Sequence, residues 1–101
     1  MIKMPEQEKE WTKRRADTLA ADLDILLGDL CVIWGFCGGL TGWELTREGK
    51  AVTADDFAVA VIAADELAEA SATAWTPRIR TAFIERYGRV VSDRDFGRPE
   101  R

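Results

Sequence analysis

The chain has 101 residues, a formal net charge of −4 and an apolar share of 47 %, a size that supports one domain with a real core and leaves little for a separate catalytic domain. It contains no histidine and no asparagine, and Gln7 is its only glutamine, which removes the usual general base, the commonest zinc ligand and the side chains that best read adenine. Charge is segregated: residues 1–15 carry five basic and three acidic groups, residues 16–75 two and eleven, and residues 76–101 seven and four. An acidic middle of this kind repels phosphate and suits a basic partner surface.

The opening residues, MIKMPEQEKEW, have no apolar run of the kind a secretory leader needs. The longest weakly charged run, residues 25–40, is interrupted by Asp29 and falls short of the roughly 20 residues that cross a bilayer. The expectation is a cytoplasmic chain with no membrane segment, and its two cysteines then belong to a reducing compartment.

In chain order, Pro5 followed by Glu6 and Glu8 reads as the first turn of a helix. Ala16, Leu19, Leu23, Leu26, Leu30, Ile33 and Cys37 recur at spacings of three and four, which at about 100° per residue draws one apolar stripe. The spacing predicts one long helix over about 5–36, ended by Gly38 and Gly39. Thr41 with Glu44 fits a capping box for a short helix that Gly49 ends. Thr53 followed by Asp55 and Asp56 is the clearest helix start, and predicts a second principal helix over about 54–75, with Phe57, Val61, Ala64, Ala68, Ala72 and Trp75 inward. Thr76 and Pro77 predict a third over about 77–87, stopped by Gly88, with Ile79, Ala82 and Phe83 inward. Ser92 opens a further turn, and residues 97–101 read as a frayed tail. The fold class is all-α: a single helical domain over 1–101, built as a small bundle of three principal helices and one or two short ones. Val90 and Val91 are the only candidate strand.

Cys31 and Cys37, if both lie on the first helix, are about 9 Å apart along its axis, beyond the roughly 7 Å Cα limit for a disulfide. The geometry disfavours an intramolecular pair unless the helix has already ended at Gly35. Their neighbours are valine, phenylalanine, leucine and glycine, with no cation to stabilise a thiolate, and no histidine completes a zinc set. They read as buried apolar thiols. Adjacent carboxylates such as Asp55 and Asp56 diverge by about 100° on a helix, so no acid and base pair is assembled. The chain is accordingly expected to be no enzyme and to hold no metal and no cofactor.

Protein interaction remains. Asp65, Glu66, Glu69 and Asp55 are candidates for an acidic partner-binding face, within a wider set that includes Asp17, Asp22, Asp24, Asp29 and Asp56. Ile25, Val32 and Phe36 fall opposite the main stripe of the first helix and form a candidate dimer or core face, with Ala21, Gly28 and Gly35 as a smooth strip between the two. Two further helices of about 22 and 11 residues cannot sheathe both faces of one of about 30, so a homodimer is expected, unless Trp43, Leu45, Val90, Val91 and Phe96 fold back to cover the surplus. The expected role is that of a small acidic regulator or inhibitor of a larger protein with a basic, nucleic-acid-binding surface. In size and charge alone this is comparable to anti-CRISPR inhibitors; no sequence motif of such proteins is present. The alternative is a nucleic-acid-binding regulator that grips phosphates with Arg78, Arg80 and Arg89 of the third helix.

Overall fold

The structure, a computed structural model, describes residues 15–96. Within them the chain runs α1 (Leu19–Trp34), α2 (Gly42–Thr46), a 3-10 turn (Arg47–Gly49), β1 (Val52–Thr53), α3 (Ala54–Ala64), α4 (Glu69–Tyr87) and β2 (Val90–Val91). The predicted all-α class is observed, and none of these helices is long and apolar enough to cross a membrane.

The first helix is shorter than its periodicity implies. Thr18, in extended backbone, accepts a hydrogen bond from Ala21 N–H at 3.1 Å and caps the helix there, so residues 15–18 are not helical. The expected stretch 5–14 lies outside the described residues, as does the expected tail 97–101. At the other end Gly35 adopts a left-handed conformation, φ 85°, which an L side chain enters only at a cost. Gly35 N–H then bonds Cys31 O at 2.9 Å and Phe36 N–H bonds Leu30 O at 3.2 Å, a doubled C-terminal lock that turns the chain back on itself. The predicted stop at Gly38 and Gly39 is therefore three residues late.

Thr53 caps α3 as predicted, accepting from Asp56 N–H at 3.0 Å. The predicted helix 54–75 nonetheless divides. Asp65 closes α3, and Glu66 takes a left-handed φ of 53°, turning the chain so that Leu67 packs on the core. The boundary expected at Thr76 and Pro77 is absent: α4 runs through Pro77, and the Thr76 hydroxyl donates back along the helix to Ala72 O at 2.7 Å instead of capping. Gly88 ends α4 as predicted.

One core joins these elements. Leu19, Leu23, Leu26 and Leu30 of α1, Phe57, Ala58 and Val61 of α3, and Ile79, Ala82 and Phe83 of α4 are all sealed from solvent. Phe83 lies between Phe57 and Tyr87, with centroids 5.1 and 4.9 Å away, separations typical of favourable aromatic pairs. The two short strands pair antiparallel, Val52 against Val91 and Thr53 against Val90, with Ala54 N–H on Arg89 O at 2.9 Å. This clasp ties the start of α3 to the segment after α4. Ser92 then opens a single turn, Phe96 N–H bonding Ser92 O at 2.9 Å.

Candidate functional site

The most tightly organised polar cluster lies between α1 and the end of α4. Asp22 was expected on the surface and is instead fully buried, because it stands three residues after Leu19 and four before Leu26, within the apolar stripe. Its carboxylate accepts from Ala16 N–H at 3.0 Å, Arg86 Nε at 2.8 Å, Arg86 Nη2 at 3.3 Å and Tyr87 Oη at 2.8 Å. Burial alone would raise the Asp22 pKa, but the Arg86, Ala16 and Tyr87 hydrogen bonds and the guanidinium charge outweigh it and hold the carboxyl below its ordinary value. Burial likewise opposes the Arg86 charge, and Asp22 overcomes it, holding the guanidinium above its ordinary value. Tyr87 is pushed upward by burial and by its bond to Asp22, so it stays a donor. A carboxylate so fully engaged is a structural tie with no lone pair turned to a substrate.

The acidic face divides in the same way. Asp55 is exposed but pairs with Arg80 Nε at 2.5 Å, and Asp24 accepts from Gly42 N–H at 2.7 Å, fixing α2 against α1. Asp65, Glu66 and Glu69 gather at the α3–α4 turn. Glu66 and Glu69 are exposed and Asp65 is half-buried, with its Oδ2 atom covered and without a hydrogen-bond partner. No ion pair reaches these three from the described residues.

Asp65 also lines a cleft of about 250 Å³ with Leu27, Cys31, Phe36, Cys37, Gly38 and Val61. This volume is below the range of sites that enclose drug-sized ligands or cofactors. Its wall contains a Cys31–Cys37 disulfide, Cα atoms 4.6 Å apart, which overturns the reading of two buried free thiols. The expectation assumed a helix through residue 36, whereas α1 stops at Trp34 and the Gly35 turn carries Cys37 back beside Cys31. Cys37 is exposed and Cys31 half-buried.

The candidate dimer or core face is divided by the same turn. Phe36 leaves the helix and enters the core, 8 % exposed, meeting Trp75 edge-on with centroids 5.0 Å apart. Val32 is 84 % exposed, Ile25 is half-buried and Gly28 is exposed, with open space where a Gly28 side chain would stand; among the described residues nothing approaches the strip at Gly28. Part of the expected fold-back is observed, since Val91 is buried and Phe96 and Leu45 pack on the core, while Trp43 and Val90 stay exposed.

The three arginines do not form a patch. Arg80 is engaged by Asp55, Arg78 lies over the Trp75 ring at 4.9 Å, and two residues on a helix separate these side chains by about 200°. Arg89 sits beyond α4, exposed beside the clasp. Among the described residues no group of three histidine, cysteine or acidic side chains is placed to hold a metal ion. No family model, no curated protein and no solved structure matches the chain.

Proposed function

We propose that the chain is a non-catalytic protein-binding module, a small acidic regulator or inhibitor that sets its α3–α4 turn against a basic surface of a larger partner, such as one that binds nucleic acid. The observation that carries this reading is the uncompensated charge at the turn. Asp65, Glu66 and Glu69 stand in a stretch, residues 51–77, that contains no lysine or arginine, and no cation from the described residues folds onto them. Such a patch attracts and orients a cationic surface and repels phosphate. The same property argues against direct phosphate binding, and Arg80 is already spent on Asp55.

The reading includes no catalytic step and no cofactor, and places the protein in the cytoplasm. Of the residues from which a homodimer is expected, Val32 is exposed, Ile25 half-buried and Phe36 in the core, and the proposed reading does not require a dimer.

Replacing Asp65, Glu66 and Glu69 together by lysine is expected to abolish partner capture from the source cell, with the circular dichroism spectrum unchanged. Capture should also weaken as salt is raised. Undiminished capture by the reversed chain, or duplex DNA bound at low salt through Arg78 and Arg89, overturns the reading.

A further inference from the structure

We propose that Cys31 and Cys37 are a thiol–disulfide exchange site, opened by a dithiol reductant, whose reduction unlatches the 35–40 loop beside the acidic turn. The bond sits where a latch would have its effect. It ties the last turn of α1 to a loop that carries Phe36 into the core against Trp75 and lays Gly38 on the Ala64 carbonyl at the end of α3, where an added Cβ would come within 2.6 Å of the oxygen. The next residue is Asp65, which lines one cleft with both cysteines. Without the bond, the loop keeps the Gly35 turn, Phe36 in the core, the Gly38 contact and Leu40 packed on the core.

Accessibility separates a switch from a permanent staple, since exposed disulfides are the labile and regulatory ones. Cys37 lies outside the helix and is exposed, whereas Cys31 is half-buried. In the exchange, a reductant thiolate attacks Cys37 Sγ, the protein S–S bond breaks, and Cys31 leaves as a thiolate that takes up a proton. The reductant's second thiol then attacks the mixed disulfide and releases Cys37, which is protonated in turn. The protein gains two electrons and two protons, and the dithiol becomes a disulfide. Once reduced, Cys37 is the more accessible of the two thiols. Cys37 is then the thiol that starts reoxidation. In the cytoplasm proposed above, a disulfide is characteristically a transient, redox-sensing bond.

The influence on docking rests on the reading of the acidic turn as the partner face; the redox change itself does not. The test takes the purified chain through oxidised and reduced dithiothreitol at neutral pH without denaturant, follows thiols by alkylation and mass, and follows backbone amides by hydrogen exchange. Expected are two alkylated thiols in a chain that stays folded, exchange of residues 36–40 faster by at least about tenfold, and reversal on reoxidation. The Cys31→Ser, Cys37→Ser double variant should show the fast exchange in both buffers. A bond that resists native reduction, a chain that unfolds globally on reduction, or unaltered exchange at 36–40 overturns the switch. None of these readouts uses a partner, so failure of the switch is distinguished from failure of the docking face, which the charge-reversed chain tests.

Discussion

Replacement of Asp22 by alanine is expected to cost about 3–5 kcal/mol of folding stability, because it removes the carboxylate that accepts two hydrogen bonds from a buried guanidinium. The Arg86 side chain is only 7 % exposed and the Asp22 side chain not at all, so water replaces little of the lost ion pair. Ala16 N–H and Tyr87 Oη lose their acceptor in the same substitution. Asp22→Asn keeps the shape and part of the hydrogen bonding and should fall between the variant and the parent. The pH dependence follows from the lowered Asp22 pKa. Above the ordinary value of 3.8 the carboxyl is ionised in both states and its contribution is complete. As pH falls below that value the unfolded chain takes up the proton first, and the contribution fades until the folded carboxyl is also protonated. Urea unfolding at pH 7 and over pH 2–5 should therefore show the parent losing stability on acidification more steeply than Asp22→Asn. A cost below about 1 kcal/mol for Asp22→Ala, or matching acid profiles, would contradict the assignment.

Phe36→Ala and Val32→Ala should separate sharply, although both residues were expected on one face, of a dimer or of the core. Phe36 is a core side chain against Trp75, and its truncation is expected to cost about 3–5 kcal/mol, at the lower end if the loop collapses into the gap. Val32 is 84 % exposed, and its truncation should change stability by no more than about 0.5 kcal/mol. Denaturation of the oxidised chain at two protein concentrations checks both values, with midpoints expected to be independent of concentration. Comparable costs, or a midpoint that rises with concentration, would restore the residues to an interface.

Which parts of the molecule were legible in the sequence follows from the range of the forces involved. Local signals were read correctly where they act within a turn: the Thr53 and Thr41 caps, the Gly88 stop and the Ile79, Ala82 and Phe83 face of α4. The Leu19 to Leu30 stripe was also correct. Its extension to Ala16 and Cys37 was not, because periodicity continues across a cap that it does not encode. Thr18 and Gly35, a capping residue and a glycine within the expected helix, carry the true limits. The break at Asp65 and Glu66 has no glycine or proline to announce it, while Pro77 announces a break that packing overrides.

At the candidate site, the sequence names Asp65, Glu66 and Glu69 as an acidic face whose binding role stays a proposal, whereas it places Asp22 on the surface and leaves the two cysteines unpaired. Asp22 was visible as an acid at stripe spacing, and Arg86 as a base at the edge of the α4 apolar face. Two opposite charges that both violate their patterns are a signal of pairing. The disulfide depended wholly on where α1 ends, and two residues of helix decided it.

Hydrogen exchange on the complex with the captured partner tests the central claim most directly. Protection gained on binding is expected to concentrate at residues 64–70, over the α3–α4 turn. Protection confined to the Arg78 and Arg89 surfaces, with residues 64–70 exchanging as they do in the free chain, would contradict the account.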